Sequence, residues 1–242
     1  MSAINFKNSP LVEVVFEIIF KEQNPKYDIF VGELYSKLKN KYPVIELVTP
    51  PEISAVVPYV VQHRFRTEAE KYPLYQTGPG VVSFNTDGGS YENGWAGYKK
   101  ELKSFLKIYR TVLGEQFSSD KFKKVSLRYI DKIEDPRMYP DIKKYFDENL
   151  KLEINLKFIE NIKFNNLEGT SLSQAYQVDE RNKLRYKIQT IKEGSRKLLV
   201  DSNVNTENFD SIEDLNKWLD NAHSLLKKFF LELTSNIQNL FQ

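Results

Sequence analysis

Apolar and polar residues alternate most strictly over residues 9–20, where the sequence reads SPLVEVVFEIIF. Phe16 and Ile18 point to one face of an extended chain, because successive side chains of a strand point to opposite faces. Glu13 and Glu17 point to the other face, among aliphatic residues. This pattern predicts a central strand with one core face and one partly covered face.

Later apolar spacings predict helices over 30–42 and 91–112, and strands over 59–66, 72–86 and 125–133. The segment 72–86 contains the Gly78-Pro79-Gly80 turn, so it forms either two short strands or one kinked strand. The order of residues 11–133 is therefore β-α-β-β-α-β. That order is the ferredoxin-like, split βαβ arrangement, in which the first and last strands are antiparallel neighbours.

Residues 139–242 are predicted to be a second unit that is rich in strands. Alternating segments over 172–178 and 184–190 precede the segment RKLLVDSNV, and a long amphipathic helix then runs from Ser211 to Gln242. We therefore predict an α+β protein of two packed halves. Residues 1–138 form the ferredoxin-like half, and residues 139–242 form an antiparallel sheet with a long C-terminal helix.

Two segments of the halves resemble each other. VVSFNT leads through a polar turn to the helix of Trp95, and LLVDSNVNT leads through another to the helix of Trp218. An internal duplication is one interpretation, and the common strand–turn–helix pattern is the other.

The first core is predicted from residues that share these apolar faces: Phe16, Ile18, Tyr98, Leu102, Phe105 and Leu127. We also expect Glu13 and Glu17 to lie on the same sheet face as Arg128 and Lys132, because their signs are complementary at the same spacing.

Charge and composition limit the function classes. The chain of 242 residues has 35 Lys and Arg against 33 Asp and Glu, a formal charge of +2, so any basic site must be local. It has no cysteine, which excludes disulfides and thiolate chemistry. No signal-like or membrane-spanning apolar run occurs, and we therefore expect a cytoplasmic protein without a membrane segment.

Enzyme motifs are missing from the sequence. His63 and His223 have no partner at metal-ligand spacing, and no nucleophile elbow or phosphate-binding glycine loop occurs. Glu13 and Glu17 would lie roughly 13 Å apart on a strand, too far for a glycosidase pair. We therefore predict no catalytic residue, metal or cofactor, and an enzyme of unknown class is the last alternative.

Several phrases together resemble an uncharacterised, sporadically distributed family of bacterial proteins. They are PLVEVVFEIIF, QTGPGVVSFN, LRYIDKI and a long terminal helix carrying His223. The resemblance spans nearly the whole chain and implies a bacterial cytoplasmic protein, in some cases from variable or defence-type loci. It implies no activity. Asp131 stands where the family phrase is expected to have Asn.

The function we predict first is association with a protein partner, with a homodimer as the simplest case. The apolar seam of the terminal helix is nearly heptad, and further apolar residues widen it beyond what one sheet covers. The alternative is that the helix covers only its own sheet. The predicted interface residues are Trp218, Leu225, Phe230, Ile237, Leu240 and Phe241.

Nucleic-acid binding is the second function that the sequence allows. Three cations share one face of a predicted strand, and two more follow the next turn: Lys183, Arg185, Lys187, Arg196 and Lys197. Tyr186 falls on the opposite face, so no aromatic residue alternates with these charges for base stacking. A solvated strand face is the competing explanation.

Overall fold

The alternating segment at the start forms β1, which lies in the middle of the sheet. The computed structural model describes residues 8–241 except 92, 139–140, 153–168, 194, 208, 210 and 212. Its elements in chain order are β1 (Leu11–Phe20), α1 (Tyr27–Leu38), β2 (Val44–Leu47), α2 (Pro51–Val56), β3 (His63–Arg66), β4 (Leu74–Gly78), β5 (Val81–Asp87), α3 (Gly94–Leu113), β6 (Phe122–Glu134), α4 (Ile142–Asn149), β7 (Ser171–Gln177), β8 (Asn182–Glu193), β9 (Ser195–Thr206) and α5 (Leu215–Leu233).

The described strands form one nine-stranded sheet in the order β2-β3-β4-β5-β1-β6-β9-β8-β7. Each strand is antiparallel to its neighbours. The α+β class is therefore as predicted. The second half does not build a sheet of its own, because β9 pairs with β6 and continues the first half's sheet.

The ferredoxin-like start is not what the chain forms. A split βαβ unit contains parallel strands, whereas both neighbours of β1 run antiparallel to it. The reason is the turn after Gly78, which folds residues 74–87 into two short strands, and this extra reversal makes β5 antiparallel to β1. Gly78 is required there, since a Cβ atom would lie 2.0 Å from the carbonyl oxygen of Val60.

The two halves repeat each other around the central β1–β6 pair. On one side β1 is followed outward by β5, β4 and β3, and on the other β6 is followed by β9, β8 and β7. Phe16 pairs with Phe84 as Leu127 pairs with Val204, and Phe16 and Leu127 pair with each other. The two similar segments of the sequence thus occupy equivalent strands, β5 and β9.

The predicted antiparallel pairing of β1 with β6 is confirmed. Arg128 lies opposite Val15, on the same face as Glu17. However, Arg128 forms its ion pair with Asp201, and it is Lys124 that lies 3.4 Å from the Glu17 carboxylate.

The core lies between the sheet and the helices that cover one of its faces. One cluster joins α1, α3 and α5 to the central strands, and a second joins α4 and the C-terminal turn to β8 and β9. All six predicted core residues are buried in the first cluster: Phe16, Ile18, Tyr98, Leu102, Phe105 and Leu127.

The last helix is shorter than the sequence predicts, and α5 ends at Leu233. Thr234 donates its hydroxyl to the Phe230 carbonyl at 2.7 Å, and the polar run after Leu233 competes with helical hydrogen bonds. The chain then turns, and residues 238–241 form a short 3₁₀ helix. Gln242, the predicted end of the helix, lies outside the described residues.

Candidate nucleic-acid interface

The sheet face opposite the helices carries mostly polar residues, and we call it the polar face. Its members alternate with core residues along five strands: Glu13 and Glu17 on β1, Ser83 and Asn85 on β5, Ser126 and Arg128 on β6, Asp201, Asn203 and Asn205 on β9, and Lys183, Arg185 and Lys187 on β8.

Strand β8 places its three cations on the polar face, as its alternation predicted. Lys183, Arg185 and Lys187 alternate with buried apolar residues and stand about 7 Å apart along the strand. Lys183 lies 3.7 Å from the Glu207 carboxylate. Arg185 and Lys187 are exposed and have no ion pair within the described part of the chain.

The other two predicted basic residues do not join this group. Arg196 lies opposite Lys192, at the far end of the β8–β9 hairpin from Arg185. Lys197 is bound to Glu134 at 2.6 Å, and this hydrogen bond lowers the pKa of the Glu134 carboxyl. The structure therefore divides the predicted basic patch into two places.

A bidentate ion pair crosses from β6 to β9 beside the cations of β8. Arg128 donates from Nε and Nη2 to the two carboxylate oxygens of Asp201, at 2.7 Å and 2.6 Å. The hydrogen bonds to Asp201 raise the pKa of Arg128 above its ordinary value, although partial burial opposes this. The guanidinium is therefore held in one orientation on the polar face.

The groove between these charges has a volume of about 310 Å³. Its polar lining includes the amides of Asn203 and Asn205, the hydroxyls of Ser126 and Ser173, and the carboxylate of Glu17, which is paired with Lys124. Asn205 donates from Nδ2 to Oδ1 of Asn203 at 2.8 Å. Ser126 is only 4% exposed, and its hydroxyl oxygen is not one of the buried polar atoms that lack a partner, so it is open to solvent in the groove. The groove thus offers donors that the protein does not itself use.

The equivalent place in the first half is closed by its own side chains. Ser83 donates to Oδ1 of Asn85 at 3.1 Å, and Asn85 donates to Glu13 at 2.7 Å. Tyr72 adds a third hydrogen bond, to the same Glu13 oxygen at 3.1 Å. Glu13 and Glu17 therefore belong to polar networks rather than to a carboxylate pair.

The six predicted interface residues pack inside the chain. Trp218, Phe230, Ile237 and Phe241 are buried, and Leu225 and Leu240 are half-buried against the same two clusters. The prediction assumed a helix that projects past its sheet. Instead Trp218 and Leu225 pack into the first cluster, and the chain folds back after α5 so that Phe241 packs on Phe230 in the second. None of the large apolar residues that are exposed in the described structure lies on α5. Self-association therefore stays a prediction that this helix does not support.

Both histidines make hydrogen bonds with tyrosines on the helix-covered side. His63 Nδ1 lies 3.0 Å from the hydroxyl of Tyr27, and His223 Nδ1 lies 2.6 Å from that of Tyr129. Trp95 stacks on the His223 ring with centroids 4.3 Å apart. Burial, with help from a nearby lysine, lowers the pKa of His223 to about 4, and burial lowers the pKa of His63.

One ionisable residue is buried without any partner among the described residues. Asp131 is 5% exposed, faces the core side of β6, and lies opposite Val200. Burial raises the pKa of its carboxyl to about 7. The sequence did not predict this burial, although Asp131 occupies a core position in the alternation of its strand.

Within the described ranges, no three potential His, Asp or Glu ligands lie close enough together to hold a metal ion. No helix in the same part of the chain is both long and apolar enough to cross a bilayer.

Fold and site together define an α+β protein with one continuous antiparallel sheet whose polar face is cationic on its second half. The chain matches no protein-family model and no curated protein sequence. A similar solved structure is that of the di-domain ARO/CYC BexL from the BE-7585A biosynthetic pathway. Its TM-score is 0.20 at 8% identity, over 89% of this chain and 95% of that chain, and a likeness of this size carries no argument about function.

Sequence reasoning missed the part of the site that lies on β9. Asp201, Asn203 and Asn205 alternate with apolar or small residues in VDSNVNT, so one polar face could have been assigned from the sequence. What the sequence could not show is that β9 lies between β6 and β8.

Proposed function

We propose that this chain is a non-catalytic binding protein that holds single-stranded nucleic acid on its polar face. Arg185 and Lys187 carry the proposal, because they are exposed cations without a carboxylate partner in the described structure. Most other cations of the polar face are already paired, among them Arg128 with Asp201.

The spacing of the cations favours an extended strand as the ligand. Lys183, Arg185 and Lys187 are about 7 Å apart on a straight β-strand, which is comparable to the distance between successive phosphates of an extended single strand. Each cation can therefore meet one phosphate without bending the ligand.

The chemistry of the face favours contacts to the backbone rather than to bases. No aromatic side chain alternates with the cations of β8 on the polar face, so stacking does not contribute there. Phosphate contacts carry little sequence information, and their free energy comes mainly from counterion release. We therefore expect binding that tolerates sequence changes and depends steeply on salt.

Fluorescence anisotropy with a labelled oligothymidylate, titrated at several salt concentrations, tests the proposal. The double variant Arg185→Ala/Lys187→Ala should bind much more weakly, and the slope of log affinity against log salt should fall by about 1.4. The matched control is Lys107→Ala/Lys228→Ala, which removes two exposed cations from α3 and α5. Equal losses in both double variants, or no binding by the unaltered chain, would contradict the proposal.

A further inference from the structure

We infer that Arg128, Asn203 and Arg185 form a single oxyanion site that takes one phosphate group; we call it the arginine row. The inference rests on the proposed function, since it names the point where the ligand is held most firmly. Arg128 lies directly opposite Asn203, and Asn203 lies directly opposite Arg185. Side chains at opposite positions are about 5 Å apart at Cβ, so all three can reach one phosphate.

Asp201 positions the first member of the arginine row. Its two oxygens occupy Nε and Nη2 of Arg128, at 2.7 Å and 2.6 Å, which leaves Nη1 for a ligand. The pair also compensates the negative charge of Asp201, which would otherwise repel a phosphate beside it. Asp201 is thus a positioning residue that acts through Arg128.

Neighbouring polar groups point to a ligand at the same place. The hydrogen bond from Asn205 occupies Oδ1 of Asn203, so the Nδ2 group of Asn203 remains as a donor. Ser126 lies opposite Asn205 and lines the same groove. Its hydroxyl is open to solvent in the groove, so it can donate a hydrogen bond to a phosphate oxygen there.

The first half of the chain has different residues at the strand positions that are equivalent to the arginine row. There the equivalent row is Glu17, Ser83 and Gln76, which lie opposite one another on β1, β5 and β4. The carboxylate of this row is paired with Lys124, and its amide Gln76 accepts a hydrogen bond from Arg64. The row thus lacks the two arginines that flank Asn203 in the second half. Among the described residues, we therefore expect the oxyanion site on the second half and not at the equivalent positions of the first half.

Anisotropy titrations of the full chain with labelled oligothymidylate test the arginine row. Arg128→Gln should weaken binding roughly tenfold, as expected for one charge-assisted hydrogen bond. Asp201→Ala should also weaken binding although it removes a negative charge, and the double variant should bind no worse than Arg128→Gln. Tighter binding by Asp201→Ala, or losses that add in the double variant, would overturn the positioning role.

Two further variants protect the test against misfolding. Asn203→Ala leaves the ion pair intact and should still weaken binding, whereas unchanged binding would overturn the inference. Lys197→Ala removes a polar-face cation at the far end of β9 and should leave affinity unchanged. A loss for Lys197→Ala as large as that for Arg128→Gln would show that only the general charge of the face matters.

Failure of this inference can be told apart from failure of the proposed function. If Arg185→Ala/Lys187→Ala abolishes binding while Arg128→Gln and Asn203→Ala bind normally, the arginine row is wrong and the proposed function stands. If no oligonucleotide binds, inorganic phosphate added to isotope-labelled protein tests the row alone. A shift of the Asn203 side-chain amide resonance supports the site, and an unshifted resonance overturns it as well.

Discussion

Replacing Asp131 by Asn should stabilise this protein at neutral and alkaline pH. The Asp131 carboxyl is buried without a partner in the described structure, and burial raises its pKa to about 7 from an ordinary value of 3.8. The native state therefore binds this proton more tightly than the unfolded chain does. The contribution of this carboxyl to stability is greatest below pH 4, falls as the pH rises towards 7, and changes no further above that.

The size of the effect follows from the shift in pKa. About three pKa units correspond to about 4 kcal/mol lost from the free energy of unfolding at pH 8, and to less than half of that at pH 5. Asn cannot ionise and keeps nearly the same volume. The advantage of Asp131→Asn over the unaltered protein should therefore grow by about 2–3 kcal/mol between pH 5 and pH 8.

Urea denaturation of both proteins at pH 5 and pH 8 measures this difference directly, because other titrating groups contribute equally to each. A difference in stability that is the same at both pH values would refute the reasoning, since a carboxyl that does not change its pKa on folding adds no pH dependence. If the stability advantage of the variant over the unaltered protein is smaller at pH 8 than at pH 5, the predicted direction of the pH dependence is wrong.

Three other predictions follow from the core and the last helix. Phe16→Ala should cost about 3–5 kcal/mol in urea denaturation, and a loss below about 1 kcal/mol would contradict the assigned core. The ring of His223 should titrate near pH 4 in an NMR titration, because burial lowers its pKa to about 4. The stability that the neutral ring contributes is lost as the pH falls from 6.5 towards 4. A midpoint above pH 6 would contradict the burial of this ring. Truncation after Thr234 should lower the unfolding temperature, since it removes the buried residues Ile237 and Phe241. Sedimentation of the full chain tests self-association separately, and a monomer at tens of micromolar would contradict self-association.

Local patterns predicted most of the longer elements of this fold, because such patterns depend on neighbouring residues, but they did not predict the short β2 and α2. The alternation around Phe16 specified both a strand and its buried face, and the spacing through Tyr98 and Leu102 specified the covering helix α3. These side chains must point to one side of their own element to be buried at all, so their periodicity is visible in the sequence.

The topology was harder to predict because it depends on one turn and on distant pairings. The turn after Gly78 allowed one kinked strand or two short ones, and the number of strands decided whether β5 runs parallel or antiparallel to β1. Similarly, the apolar spacing continues past Leu233, although the helix does not. Buried residues beyond a helix end can keep the same spacing while the chain folds back.

The candidate site was predicted only in part for the same reason. Lys183, Arg185 and Lys187 share a strand, so their common face could be assigned from spacing. Their approach to Arg128 and Asn203 depends on β9 lying between β6 and β8, and no local pattern contains that information.

The central place of β1 and β6 has a consequence for the order in which the chain can fold during synthesis. Strand β6 is complete at Glu134, but the partner for its outer edge, β9, is complete only at Thr206. At ribosomal rates of about 5–20 residues per second, roughly 4 to 14 s separate the two events. Throughout that interval an unpaired edge with an apolar face is a template for other chains, so newly made copies on one messenger are at risk of pairing with each other before the sheet is complete.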